Sequence, residues 1–197
     1  YLLLFAQELN KYPVGLIRTA NLQQIALVKE LSYDEQPRAA LPDFLKEILY
    51  LDVFRGAKNR LYQRHVVHHE FYHLLEEEVF HDPYYKDPAW AALNPAGFRY
   101  GSGGAAAQKG PQYKLSHPRL GFINLYSTSG LEEDKAEIFA ALMLPEEARL
   151  LTAWSRSDPF LAAKLAAMKA SLKLKVPEMD EAWWNHPDSP ETGAPRG

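Results

Sequence analysis

Cysteine is missing altogether. That excludes a thiolate-held metal, a catalytic thiol and any disulfide staple, so chemistry must be carried by histidine, carboxylate, hydroxyl and amide groups. Basic charge is also short: 22 Lys and Arg stand against 25 Asp and Glu, a formal net charge of -3. Without a cationic surplus there is no electrostatic footprint for phosphate backbones or anionic lipid, and nucleic acid and membrane surfaces are not expected as partners. No apolar run approaches the roughly 20 residues that span a bilayer, and there is no internal repeat or heptad pattern. An initial methionine is absent too, since residue 1 is Tyr. A processed product is expected from this, with an extracytoplasmic location favoured over others.

What is present fits an ordinary globule. The chain has 197 residues, 47% hydrophobic and 24% charged, enough for an ample core in one domain spanning 1–197 with a loose tail from about Asn185. Leu2 to Leu9 reads as a short helix closed by Asn10 and the Tyr12-Pro13-Val14-Gly15 turn, with a second helical piece from Leu16. Ile25 to Val28 and Ile48 to Val53 are β-prone runs, with Pro37 and Pro42 punctuating what reads as a loop between them. The second of these is expected to be the exposed edge of a small twisted sheet, to which an extended peptide would add. A long irregular stretch follows His81-Asp82-Pro83, and its Gly97 to Ala107 portion, rich in glycine beside Phe98 and Tyr100, suits a lid or flap, or equally a plain flexible crossover. Ser129 with Glu132 reads as a capping box, so a helix is expected from there to about Leu144. Two further helices are expected over Pro145–Trp154 and Pro159–Leu174, the latter capped by Asp158. The sum is an α+β fold with a helical C-terminal half.

The chain is organised around His69-Glu70-Phe71-Tyr72-His73. Leu61, Val66, Val67, Phe71, Leu74 and Leu75 recur at helical spacing, and no Pro or Gly interrupts Leu61 to Phe80. On a helix, His69 and His73 lie one turn apart on one face, so two imidazoles reach a single ion while Glu70 projects from the adjoining side. This is the arrangement of a water-activating zinc site, one Zn2+ per chain: two neutral nitrogen ligands, and a carboxylate near the open position. His65 and His68 read as outer or surface residues, and Glu76-Glu77-Glu78 as a solvated face.

A catalytic zinc takes three protein ligands. Glu133 and Glu137 share a face of the capped helix; Glu133 is assigned to the metal, with Glu137 its rival. Glu137 otherwise sits behind the metal, accepting the free ring N–H of a ligating histidine. Tyr126 is placed to hydrogen-bond a developing oxyanion, or else to anchor the turn. Trp90, Trp183 and Trp184 read as packing.

With these residues in place the chain resembles a family of bacterial zinc metallopeptidases that join His-His-Glu-Phe-x-His to a downstream Trp-x-x-Leu-Asn-Pro-x-Gly-Phe-x-Tyr-Gly block. Here the block runs from Trp90 to Gly101 and is followed by Glu133-Asp-Lys-Ala-Glu-Ile-Phe-Ala140. More distantly, Tyr126, Glu133 and an acid four residues later are similar to the lethal-factor type of gluzincin. The resemblance implies a zincin-like fold, His69, His73 and Glu133 as ligands, Glu70 as general base and Tyr126 as oxyanion stabiliser. It also implies a peptide or protein substrate, held in a cleft between the sheet half and the helical half. Compared with thermolysin, Glu137 stands where an Asp is usual and no Asn precedes Glu133. A rival class is a binding protein that keeps zinc without catalysis and recognises a protein or glycan; a third is metal-assisted hydrolysis of another bond.

Overall fold

The computed structural model describes residues 1–104 and 113–185. The chain forms two compact units, Tyr1–Pro83 and a second starting at Tyr84. Part of the expected lid, Ala105 to Ala107, and the expected loose tail beyond Asn185 lie outside the described residues.

In the first unit, helices α1 (Leu2–Leu9) and α2 (Val14–Thr19) precede strands β1 (Gln24–Val28), β2 (Ser32–Tyr33), β3 (Gln36–Pro37), β4 (Ala40–Asp43) and β5 (Ile48–Asp52). Helix α3 (Arg60–Phe80) closes the unit. The main sheet has the order β1-β5-β4, and β2 and β3 form a separate antiparallel ribbon. β5 is therefore central and not the expected edge: it pairs parallel with β1, Gln24 against Ile48, and antiparallel with β4, Ala40 against Leu51. The reason lies in the proline-punctuated segment, which forms β4. Pro42 is tolerated there because β4 is itself an edge, where a missing N–H leaves no ladder bond unmade. The free edges of this sheet are β1 and β4.

Leu49 and Leu51 alternate along β5 onto one face and are fully buried. With Phe5, Ala40, Val67 and Leu74 they form the core of the unit, so α3 lies across the sheet with Val67 and Leu74 on its inward stripe. Each such side chain contributes about 1.5–3 kcal/mol on burial. Asn59 Oδ1 caps α3 by accepting from Tyr62 N, and His81 ends it in the left-handed conformation at φ 53°.

The second unit is helical in its described residues: α4 (Pro88–Ala91), a short 3₁₀ turn (Tyr126–Thr128), α5 (Leu131–Leu142), α6 (Pro145–Ser155), α7 (Pro159–Lys175) and α8 (Glu181–Asn185). α5 is the middle of the unit. Ile138, Phe139, Ala140 and Ala141 are wholly buried in it, as a helix surrounded on all sides requires. The expected capping box does not form: α5 starts after an extended Gly130, and the Ser129 hydroxyl donates to the Tyr126 carbonyl, which belongs to the preceding 3₁₀ turn. Asp158 does cap α7, with Oδ1 accepting from Phe160 N and Leu161 N. Among the described residues, no helix is long and apolar enough to cross a membrane.

Candidate metal centre

α3 places its two candidate ligands one turn apart on one face. His69 Nε2 and His73 Nε2 lie 3.1 Å apart. Two nitrogens bound to one tetrahedral zinc at 2.0–2.1 Å would stand roughly 3.3 Å apart, so the pair fits such an ion with little adjustment. The donor chemistry agrees: both are imidazoles, His69 buried and His73 half-buried, and no thiolate competes. Glu70 is half-buried on the same turn.

The histidines at 65 and 68 are not surface residues. Both are buried, and the His65 ring centroid lies 6.3 Å from that of His69. His68 is part of a polar cluster that ties α3 to α1. Its Nε2 lies 2.9 Å from Glu8 Oε2, and its Nδ1 meets the Tyr12 hydroxyl. Glu8 also accepts from Arg64 Nε at 2.7 Å and from Lys11. Burial lowers the His68 pKa to about 4 despite Glu8, so the ring is neutral at pH 7. A neutral ring protonated on Nε2 donates to Glu8 and accepts from Tyr12 through Nδ1, which satisfies both contacts. For Glu8, burial works against the charge, yet the hydrogen bond and charge of His68 together with Lys11 bring the pKa down to about 2. Glu76, expected on a solvated face, is also buried.

On the second unit, α5 carries the acidic candidates. Glu133 is 9% exposed and Glu137 1%. Glu133 and Tyr126 converge on Gly104: a Cβ built there would overlap both Glu133 Oε1 and the Tyr126 hydroxyl. The oxyanion candidate and the carboxylate candidate are thus neighbours. Glu137 is engaged differently, accepting a hydrogen bond from Asn124 Nδ2. Asn124 is fixed in turn, because its Oδ1 accepts from Ser127 N at 2.8 Å. An asparagine therefore does address an acid of this helix, but from thirteen residues upstream of Glu137.

Asp134 lies beside Glu133 in the first turn of α5. It is completely buried and accepts from Trp90 Nε1 at 2.9 Å, the Tyr100 hydroxyl at 2.7 Å and Lys164 Nζ at 2.7 Å. Lys164 is equally buried and also donates to the Gly121 carbonyl at 2.7 Å. Burial pushes the Asp134 pKa up and the Lys164 pKa down, and their mutual attraction opposes both shifts. Lys164 had a sequence signal: it shares the stripe of Leu161, Met168 and Leu172, where a lysine demands a buried acid.

A helical His pair bracketing a glutamate offers the nitrogen donors of a zinc site. The chain belongs to the family described as "putative zinc-binding metallo-peptidase", whose model matches residues 21–176. No curated protein and no solved structure gives a significant match to it.

Proposed function

We propose that the chain is a zinc-dependent peptidase with a zincin-like α+β domain. The observation that carries this reading is the 3.1 Å approach of His69 Nε2 and His73 Nε2 on one turn of α3, with Glu70 between them in sequence. Family membership supports a peptide or protein as substrate.

In this reading His69, His73 and Glu133 hold one zinc ion, and Glu137 stands behind them. When bound, zinc supplies a Lewis acid that lowers the pKa of water toward neutrality and polarises the scissile carbonyl. Glu70 accepts the proton of the attacking water and delivers it to the leaving amine nitrogen. The Tyr126 hydroxyl donates to the oxygen on which negative charge develops. His69 and His73 need no reorganisation, because a single rigid helix presets their separation.

The test is zinc content by mass spectrometry on protein purified without added metal or a histidine tag, in wild type, Glu133→Ala and Glu137→Ala. One zinc per chain, lost chiefly in Glu133→Ala, together with hydrolysis of members of a peptide panel, supports the reading. Loss in Glu137→Ala instead would exchange the two roles. A wild type that takes up no zinc would overturn the reading and favour a protein that binds its partner without hydrolysing it.

A further inference from the structure

The segment from Trp90 to Gly104 is pinned along its length to the start of α5. Tyr100 donates to Asp134 Oδ2 and accepts from Asn94 Nδ2 at 3.0 Å, while Trp90 Nε1 reaches the same Asp134 oxygen. Gly101 N donates to Thr128 O at 3.0 Å, and Gly103 N donates to Ser129 O at 2.8 Å. These bonds leave the strand of chain little freedom to retreat. At Gly103 the backbone itself, at φ +92°, calls for glycine. Gly104 is different: its backbone is not in the left-handed region, and what excludes a side chain is space, since a methyl group would fall on Glu133 Oε1 and on the Tyr126 hydroxyl.

We propose that Gly104 is a positioning residue: anchored through Tyr100 on Asp134, its bare backbone sets where the Glu133 carboxylate and the Tyr126 hydroxyl rest. This rests on the reading of Glu133 as a metal ligand. The physical argument is that a glutamate has three rotatable bonds, so its carboxylate holds one place only where its surroundings leave no other. The first turn of α5 is buried, and Gly104 closes the remaining direction. A side chain at 104 must displace both polar groups together. Groups that support a metal ligand from outside typically account for about 10- to 100-fold in metal affinity or activity.

The experiment compares wild type, Gly104→Ala, Tyr100→Phe and Glu133→Ala by three measurements. These are zinc affinity by competition with a chelator, the visible absorption of the cobalt-loaded protein, and thermal unfolding of the metal-free protein. Gly104→Ala is expected, in its folded fraction, to bind zinc at least tenfold more weakly and to show an altered cobalt spectrum, whatever the displaced side chains cost the metal-free protein in unfolding temperature. A residue that merely packs would change unfolding and leave the spectrum of the folded fraction unaltered. Tyr100→Phe keeps the ring but removes the anchor on Asp134 that lies nearest Gly104, and a smaller loss of affinity in the same direction is expected; this variant decides the matter should Gly104→Ala not fold. Wild-type affinity and spectrum in a folded Gly104→Ala, with both lost in Glu133→Ala, would overturn the proposal alone. Unchanged affinity in Glu133→Ala would instead overturn the ligand reading beneath it, and the proposal with it.

Discussion

The His pair of α3 and the acidic turn of α5 are built in opposite ways. His69 and His73 owe their place on one face, one turn apart, to the pitch of one helix, and a sequence that keeps α3 helical keeps them on that face. Glu133 and Tyr126 come together only because residues 90–104, the 3₁₀ turn, α5 and α7 are tied to one another. Much of the tie passes through one carboxylate, Asp134, which gathers Trp90, Tyr100 and Lys164, beside the backbone bonds of Gly101 and Gly103. The first arrangement is local and tolerant of distant change, whereas the second is tertiary and exposed to it. A chelating pair can thus persist where the remainder of a site has been lost, so the pair by itself is weaker support for catalysis than an intact acidic turn.

The strongest way to sharpen this contrast is chemical. Glu70→Gln leaves both imidazoles and the helix unchanged, so zinc content should stay at the wild-type level while kcat for a cleaved peptide falls by about 10²- to 10⁴-fold, the usual contribution of a general base. Parallel zinc analysis and steady-state kinetics check this. A fully active Glu70→Gln enzyme would remove Glu70 from the reaction and leave α3 as a binding helix.

The next effect is one of stability and belongs to the second unit. Both members of the Asp134–Lys164 pair are wholly buried, so Asp134→Leu leaves a buried ammonium without its hydrogen-bonded counter-charge. Removing one partner of such a pair costs about 3–5 kcal/mol, whereas replacing both by apolar groups is often close to neutral. The double variant Asp134→Leu/Lys164→Met should therefore recover most of the loss seen in Asp134→Leu, measured by denaturant unfolding. Equal instability of the single and double variants would mean that Trp90 and Tyr100, and not Lys164, are what Asp134 chiefly serves. Neither variant should alter the spacing of His69 and His73, if the contrast between the two regions holds.

Legibility in the sequence follows the same divide. The helix from Arg60 to Phe80, its histidine pair and both short N-terminal helices are visible because a local periodicity or a stop signal encodes each. β4 was not, since Pro42 reads as loop until its place at the sheet edge is known. The central position of β5 was hidden for the same reason. The capping box at Ser129 failed because α5 begins one residue later, with Gly130 at its cap, and Ser129 belongs to the end of a 3₁₀ turn that no periodicity announces. The buried charges Glu8, Asp134 and Lys164 were missed because each is held by a partner that lies tens of residues away. Glu8 meets His68 across 60 positions, and Lys164 meets Asp134 across 30. A sequence displays a charge but not its burial, except where the charge falls on an apolar stripe, as Lys164 and Glu8 both do.

The smallest expected effect separates a tertiary carboxylate from a capping one in a single residue. Asp158 caps α7 through Oδ1, and its Oδ2 accepts from Gly121 N at 2.6 Å and contacts His117 Nε2 at 2.8 Å. Burial raises its pKa, but the Gly121 N–H, His117 and the Leu161 N–H outweigh burial and leave it below the ordinary carboxylate range. A carboxyl group whose folded pKa is depressed binds its proton more readily in the unfolded chain. Its contribution is therefore complete above the unfolded pKa, near 4, and is lost as the pH falls through the lower folded value. Asp158→Asn keeps the cap through its Oδ1 but turns an amide N–H toward the Gly121 N–H and His117, so it should be less stable than wild type near pH 7, by a margin that narrows as the pH falls. Unfolding midpoints measured from pH 5 down to pH 2 should then fall less steeply in Asp158→Asn than in wild type. Parallel slopes in the two proteins would show that the Gly121 and His117 contacts add nothing to the cap, and that this corner of the second unit is held, like the histidine pair of α3, by local geometry alone.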